Sequence, residues 1–355
     1  MLDSKAISDI VRERLRLPVE EVTIARLQGD ASNRTYYRLT CTPGKTLILM
    51  ALAEPEAFKA SEEKVTGSAR IDELPFLNIQ RHLHRYGIPV PDVYHFDQGK
   101  GWLFLEDLGD LTFAQRVLNA SEEERGRYYR SAIDTLVEMQ SNASTPSPSC
   151  IAFGRAFDIP LLMWEFDHFL EFELEKRRGT TLPERDREEI RRNFSEISEV
   201  LAAEPRCFTH RDYHSRNLML QPGVAAERLR VIDFQDALMG PPQYDLASLL
   251  RDSYIVLEDK TVQDLIDYYL DRKAAADGTR LDPERFRELF DLMSLQRNLK
   301  AAGRFAYIHL VKKNSRYLDY IPQTLKRVRD NLERHPRLFP LRRLLGNYIS
   351  ELLPS

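Results

Sequence analysis

The sequence predicts an α+β fold with two lobes, a small antiparallel β-sheet lobe followed by a larger, mainly α-helical lobe. Short β-like runs separated by turn signals fill most of the first hundred residues, whereas apolar residues at helical spacing dominate the rest of the chain. The 355 residues, of which 43% are hydrophobic and 30% charged, suffice for one large or two medium globular domains. This composition excludes disorder as the main state.

The predicted small lobe begins with a short amphipathic helix within residues 1–20. Three β-like runs follow, VTIARL, TYYRLTC and TLILMAL, and their alternation predicts an antiparallel sheet. A helix over residues 75–86 has proline at its first position, and PDVYHFD and GWLFLEDL predict two further strands. We expect this lobe to end near residue 108, which divides the chain into residues 1–108 and 109–355.

Beyond residue 108 the apolar spacing is mostly helical. The predicted helices are 121–141, 160–177, 183–203, 246–257, 261–275, 283–310 and 322–332. Two short β-like runs, NLMLQ and LRVIDFQ, lie among them and are separated by a polar turn. The second lobe is therefore predicted to be α-rich, with a small β element inside it.

Charge and cysteine content exclude several classes of protein. Lys and Arg number 51 against 55 Asp and Glu, so the net charge of −4 does not indicate a nucleic-acid partner. The three cysteines are too far apart for a C-x-x-C pair, and their odd number argues against a secreted disulfide framework. No apolar run could span a membrane, and the first residues lack a signal peptide's apolar stretch. We therefore expect a cytoplasmic protein with no nucleic-acid or membrane partner.

The most informative segment is HRDYHSRN at residues 210–217, which is followed by Asp233 at the end of an apolar strand. Phosphoryl transfer from ATP needs one carboxylate that orients and deprotonates the acceptor hydroxyl. It also needs an amide oxygen and a second carboxylate that hold Mg²⁺. We predict Asp212 as the catalytic base and Asn217 and Asp233 as the Mg²⁺ ligands. The structural alternatives are a cap or turn aspartate and a turn asparagine.

Three neighbouring residues have simpler interpretations. His210 is predicted to be structural, because such a histidine more often orders a catalytic loop than transfers protons. His214 is open between contacting the substrate and packing behind the loop. Asp245, directly before LASLL, is predicted to cap a helix.

These motifs resemble those of the aminoglycoside phosphotransferase and choline kinase superfamily, over nearly the whole chain. The resemblance implies the bilobal protein-kinase-like fold, ATP as the phosphate donor and Mg²⁺ as the cofactor. GDASNRTYYRL resembles the family's nucleotide-positioning loop, which implies that Gly29 permits the turn and that Ser32 and Asn33 approach the phosphates. LFLEDL resembles the hinge, so that Glu106 and Leu108 are expected to contact the nucleotide.

Two departures from the family pattern concern the phosphate-binding lysine. Met50 stands near the position of that third-strand lysine, and the helix segment 76–84 lacks its partner glutamate. Losing both together leaves neither charge buried without its partner. We predict that Arg34, directly after the turn, substitutes as a phosphate contact.

A basic segment and a closer family resemblance narrow the choice of phosphate acceptor. Residues 297–316 contain six Lys or Arg and no Asp or Glu, which disfavours a polycationic acceptor; a solvated helix face is the alternative. RDYHSRNLML and VIDFQDALMGPPQYDLASLLRDSY resemble the bacterial anomeric kinases of cell-wall recycling, which phosphorylate N-acetylmuramate and N-acetylglucosamine. This implies an amino-sugar substrate and an α-1-phosphate product that passes to a nucleotidyltransferase.

The lactyl carboxylate of N-acetylmuramate is a group that arginines bind with paired N–H donors. Arg216, Arg251 and Arg297 are the candidates, with His214 as a further substrate contact, and for each arginine a salt bridge is the structural alternative. The competing functions are an aminoglycoside, homoserine or choline kinase and a nucleotide-binding pseudokinase. A protein kinase is disfavoured, because DFQ replaces D-F-G and no A-P-E segment follows.

Overall fold

The computed structural model describes residues 3–27, 34–52, 73–223 and 227–353. Within these ranges, five strands form one antiparallel sheet in the order β1-β2-β3-β5-β4. The strands are β1 (Val22–Arg26), β2 (Arg34–Cys41), β3 (Lys45–Leu52), β4 (Val93–Asp97) and β5 (Trp102–Glu106). The predicted sheet of the first lobe is confirmed.

A helix packs on each face of this sheet, because successive residues of a strand point to opposite sides. On one face, α1 (Ser4–Asp9) and the π-helical turn Ile10–Arg14 bury Ile7 and Val11 against Leu49 and its neighbours. On the other face, α2 (Pro75–Arg85) packs on Met50, in a core that continues into the large lobe. The second face of the sheet therefore looks toward the helical lobe.

The helical lobe is built around α9, the longest helix in the described part of the chain. The helices are α3 (Phe113–Leu118), α4 (Glu122–Asn142), α5 (Ile159–His168), α6 (Glu184–Ala202), α7 (Gln243–Leu250), α8 (Asp259–Asp277), α9 (Pro283–Leu310), α10 (Ile321–Arg334) and α11 (Phe339–Gly346). A π-helical segment, Phe169–Arg177, continues α5. Gly303 lets α9 approach it closely, since a Cβ there would lie 2.7 Å from the Phe169 Cα.

The prediction of a helix over 246–257 is wrong in its second half, because α7 ends at Leu250. The carboxylate of Asp252 accepts the backbone N–H of Tyr254 at 2.8 Å and that of Ser215 at 3.0 Å. Such a side-chain turn competes with the helical backbone bonds and ends the helix.

Two further strand pairs in the described part of the large lobe frame the HRDYHSRN segment. β6 (Cys207–Thr209) pairs with β9 (Leu238–Gly240), and β7 (Leu218–Gln221) pairs with β8 (Arg228–Val231). The loop 210–217 joins β6 to β7, and the segment 232–237 joins β8 to β9, so the two connections run side by side. None of the described helices is both long and apolar enough to cross a membrane.

Candidate active site

The loop 210–217 is held in place by Asp245, a fully buried residue of α7. Its carboxylate accepts the backbone N–H of His210 at 2.7 Å and that of Arg211 at 3.1 Å. Arg211 has a φ of 79°, a left-handed conformation that costs about 1–3 kcal/mol for a residue with a side chain. Burial raises the pKa of Asp245 to about 7 against the opposing effect of these N–H groups. Asp245 holds a strained loop, and its prediction as a helix cap is wrong.

His210 joins this loop to the end of β8. Its Nδ1 accepts the backbone N–H of Asp212 at 3.2 Å, and its Nε2 lies 2.9 Å from the carbonyl oxygen of Ile232. The carbonyl can only accept, so the proton of the neutral ring is on Nε2. Burial lowers the pKa of His210 to about 4, which keeps the ring neutral at pH 7. These contacts agree with the predicted structural role.

Asn217 lies between the two aspartates of the predicted site. Its Nδ2 donates to the backbone oxygen of Asp212 at 3.0 Å and lies 3.3 Å from Oδ2 of Asp233. Because Nδ2 is engaged in this way, Oδ1 is the atom of the amide that a cation can approach. Asp233, with φ 65°, keeps its carboxylate half exposed. The structure therefore brings Asp212, Asn217 and Asp233 together in one cleft.

The donor set of this cleft fits a magnesium ion. Asn217 and Asp233 offer amide and carboxylate oxygens, the hard ligands that Mg²⁺ prefers. Among the described residues, no cluster of three or more His, Cys, Asp or Glu could hold a metal ion. Mg²⁺ usually takes one or two carboxylates and completes its shell with water and substrate phosphates. The pair therefore fits an ion that binds together with a nucleotide.

Two cations from α9 lie beside Asp212. Nζ of Lys300 is 3.9 Å from Oδ1 of Asp212, and Nη2 of Arg297 is 4.0 Å from the same oxygen. Burial raises the pKa of Asp212, but Lys300 and Arg297 lower it by more, so the pKa lies well below its usual range. The alternative of a solvated face for residues 297–316 is wrong for the buried Lys300 and for Arg297, whose side chain is 11% exposed, although it holds for the exposed Lys313.

The other predicted substrate residues have different surroundings. Arg216 donates to the hydroxyl of Tyr320 at 2.7 Å and stacks 3.7 Å from the ring centre of Tyr254. Nη1 of Arg251 is 2.8 Å from Oδ1 of Asp259, which is the salt-bridge alternative. His214 accepts the backbone N–H of Arg216 with Nδ1 at 3.3 Å, and its Nε2 lies 3.4 Å from Nδ2 of Asn217. The structure thus brings His214 into the cleft.

In the small lobe, the predicted phosphate contacts divide into described and undescribed residues. Gly29, Ser32 and Asn33 lie outside the described residues. Arg34 begins β2, and its Nη1 is 3.9 Å from Oδ1 of Asp233. The Arg34 guanidinium also hydrogen-bonds the Tyr36 side chain. Arg34 therefore reaches the cleft from the small lobe.

The predicted hinge residue Glu106 connects the sheet to the large lobe. Its carboxylate binds Arg230 of β8, with Oε2 2.5 Å from Nη2, and accepts from Nε2 of Gln221 at 2.9 Å. The backbone N–H of Glu106 donates to the carbonyl of Asp92 at 2.9 Å. Leu108 is buried two residues further on. The nucleotide contacts of Glu106 and Leu108 stay predictions.

Sequence reasoning missed Lys300 and Glu165 as members of the site. Glu165 is fully buried in α5, and its Oε1 lies 3.2 Å from Nη2 of Arg211 and 3.3 Å from Nζ of Lys300. The signal available for Glu165 was a carboxylate within the mostly apolar run LLMWEFDHFL, which also contains Asp167, and for Lys300 it was a lysine in a basic run. Neither signal indicates which residue the side chain contacts in the folded protein.

Comparison with known proteins identifies the family. The model of the phosphotransferase enzyme family matches residues 23–289. The chain belongs to this family. A relative in Neisseria meningitidis serogroup B, named N-acetylmuramate/N-acetylglucosamine kinase, is 32% identical over 94% of this chain and 93% of its own length. A relative of the same name in Pseudomonas putida is 28% identical over 98% of this chain and 93% of its own.

Solved structures show the same fold. The crystal structure of an ADP-bound aminoglycoside phosphotransferase superposes with a TM-score of 0.57 at 17% identity, covering 92% of this chain and 98% of that one. The predicted superfamily and its bilobal, kinase-like fold are confirmed. The chain is therefore an enzyme, a nucleotide-dependent kinase that transfers a phosphoryl group to a hydroxyl acceptor.

Proposed function

We propose that the chain is an ATP-dependent sugar kinase that phosphorylates the anomeric hydroxyl of N-acetylmuramate and N-acetylglucosamine to give the α-1-phosphates. The observation that carries the kinase chemistry is the meeting of Asp212, Asn217 and Asp233, which the amide of Asn217 joins at 3.0 and 3.3 Å. The choice of acceptor is supported by the two relatives that carry both sugars in their names.

Asp212 is the residue that acts on the acceptor. Its carboxylate receives the anomeric hydroxyl as a hydrogen-bond donor, orients the oxygen for in-line attack and takes the proton. Such general-base assistance contributes about 10²- to 10⁴-fold. A low pKa is compatible with this role, because the anomeric hydroxyl is more acidic than other sugar hydroxyls and the proton leaves late in a loose transition state.

Asn217 and Asp233 bind the magnesium ion, and the nucleotide lies between the proposed lobes of residues 1–108 and 109–355. When bound, Mg²⁺ neutralises charge that develops on the phosphates. Arg34 contacts the phosphates in place of the third-strand lysine, a role supported by its distance of 3.9 Å from Asp233. In the same proposal, Gly29, Ser32 and Asn33 approach the phosphates, and Glu106 and Leu108 contact the base.

The acceptor binds next to Asp212, where Arg297 and His214 are close enough to contact it. Of the three candidate arginines for the lactyl carboxylate, Arg297 fits best, because Arg251 is paired with Asp259 and Arg216 is enclosed by tyrosines. In this role the enzyme works in the cytoplasm in peptidoglycan recycling, and a nucleotidyltransferase consumes its product.

The test is a coupled ADP-release assay with Mg-ATP and a panel of acceptors: N-acetylmuramate, N-acetylglucosamine, glucose, an aminoglycoside, choline and homoserine. We expect turnover with the two N-acetyl sugars and a 1-phosphate product by phosphorus NMR. Asp212→Asn should bind ATP and lose about 10²- to 10⁴-fold in kcat. Turnover with another acceptor alone would reject the sugar, and an active Asp212→Asn enzyme would reject the base. Silence with every acceptor would favour a pseudokinase.

A further inference from the structure

We propose that Lys300 is a positioning residue for phosphoryl transfer. Its ammonium group draws Oδ1 of Asp212 toward helix α9, so that Oδ2 is the oxygen presented to the acceptor hydroxyl. This inference rests on the proposed base role of Asp212 and adds to it a residue that fixes the orientation of the base.

At least three oxygen atoms of the described residues surround the ammonium group. Nζ of Lys300 lies 3.3 Å from the hydroxyl of Tyr244, 3.3 Å from Oε1 of Glu165 and 3.9 Å from Oδ1 of Asp212. The side chain is 9% exposed. A lysine removed from water to this degree is kept charged by opposite charges and hydrogen bonds, so its position is set by these partners.

Two of these partners are buried in the core. Glu165 is fully buried, and its Oε2 also accepts from Nε2 of Gln296 at 2.6 Å, while its Oε1 faces Arg211 at 3.2 Å. Tyr244 is fully buried in α7. Asp212 is the partner that reaches the cleft, with 37% of its side chain exposed. Lys300 therefore links the buried Glu165 and Tyr244 to the carboxylate of Asp212 and restricts the position of that carboxylate.

A second cation acts on the same oxygen atom. Nη2 of Arg297 lies 4.0 Å from Oδ1 of Asp212, and Nη1 donates to the backbone oxygen of Arg211 at 2.6 Å. Its guanidinium stacks 4.5 Å from the ring centre of Tyr244. Because both cations approach Oδ1, the carboxylate has one face toward α9 and one toward the cleft. Both distances exceed a direct hydrogen bond, so the attraction is Coulombic or passes through a water molecule.

The decisive variant is Lys300→Gln, compared with wild type under saturating Mg-ATP and acceptor. We expect kcat to fall about 10- to 100-fold, the range for a misplaced catalytic group, while KM for both substrates stays within about threefold. Lys300→Arg should recover a large part of kcat, because it restores the positive charge. Lys300→Met keeps the length of the stem and replaces the Gln variant if the latter fails to fold.

The matched control is Lys273→Gln. Lys273 is 8% exposed, 2.8 Å from Asp277 and 3.0 Å from the hydroxyl of Ser141, and it lies outside the site. Its replacement should lower stability to a similar degree and leave kcat unchanged. A folded Lys300 variant with kcat within twofold of wild type, or with a raised KM alone, would overturn the positioning role. If Asp212→Asn is fully active, the base role on which this inference rests fails; if Asp212→Asn is inactive and Lys300→Gln normal, this inference alone fails.

Discussion

The two sides of the candidate site differ in the interior that supports them. We call the side formed by the large lobe the polar wall and the side formed by the small lobe the apolar wall. The large lobe presents Asp212 and Asn217 on a loop fixed by the buried carboxylate of Asp245 and by cations from α9. In the small lobe, the sheet is backed by an apolar core, and the guanidinium of Arg34 reaches the site. The groups proposed for acid-base chemistry thus depend on a polar interior, whereas the side proposed to meet the phosphates depends on a hydrophobic one.

Met50 lies at the centre of the apolar core of the small lobe. It is fully buried, pairs with Tyr36 and Leu103 in the sheet, and packs in the same core as Phe76 and Ile79 of α2. By the family resemblance, a lysine and a glutamate are expected to form an ion pair near this position, whereas in this chain the buried groups there are apolar. Replacing a buried ion pair by apolar groups is often neutral or stabilising, so the exchange is compatible with a stable lobe.

The largest effect is expected from Met50→Lys, which tests whether this wall tolerates the lysine. The new ammonium would have no carboxylate on α2, and a buried charge without its partner costs about 3–5 kcal/mol. Urea titration should show that loss in the free energy of unfolding, with no gain in ATP affinity. Met50→Leu, the volume-conserving control, should lose less than about 1.5 kcal/mol. A Met50→Lys variant that is as stable as wild type and binds ATP more tightly would show that the apolar wall accommodates a phosphate-binding lysine at this position.

The next effect concerns the polar wall. Asp245→Asn keeps the shape of the side chain but removes one of the two acceptors for the N–H groups of His210 and Arg211. One buried N–H group is then left without an acceptor, which costs about 1–3 kcal/mol, so we expect a stability loss of that size, together with a lower kcat as the loop relaxes. Thermal denaturation and steady-state kinetics measure the two effects.

Asp282 offers the matched control for that variant. Its exposed carboxylate also accepts two backbone N–H groups, those of Glu284 and Arg285 at 2.9 and 3.1 Å, at the start of α9. Asn is nearly as good as Asp at such a cap, so Asp282→Asn should change little. Equal stability losses in the two variants, or an unaltered kcat in Asp245→Asn, would contradict the anchoring role of Asp245.

The sequence was informative wherever the interacting groups are close along the chain. The five strands, α2 and α9 follow from local periodicity and turn residues, and Asp212 and Asn217 share one loop. By contrast, periodicity reveals that a face is buried but not what it packs against. Lys300 and Glu165 meet only through the packing of α9 on α5, and the basic segment could equally have faced water. Asp245 was misassigned because an aspartate directly before an apolar run is typical of an N-cap, whereas α7 already begins at Gln243.

The smallest effect is expected from Arg34→Gln, which asks whether the apolar wall contributes a charge to the nucleotide. Nη1 of Arg34 is 3.9 Å from Asp233, the proposed magnesium ligand, and is therefore within reach of phosphates bound to that ion. Loss of this contact should raise KM for ATP about tenfold, which corresponds to about 1.4 kcal/mol, with a smaller change in kcat.

Arg12→Gln provides the comparison within the small lobe, because the Arg12 guanidinium donates to the backbone oxygens of Val19 and Glu20, away from the cleft. Its KM for ATP should match wild type. If Arg34→Gln also matches wild type, the phosphates are held by the large lobe and by backbone groups alone. In that case all the charged side chains that act in the reaction belong to the polar wall. If KM for ATP rises in Arg34→Gln only, the side-chain cation that binds the phosphates lies at the start of the second strand in this chain, and not on the third.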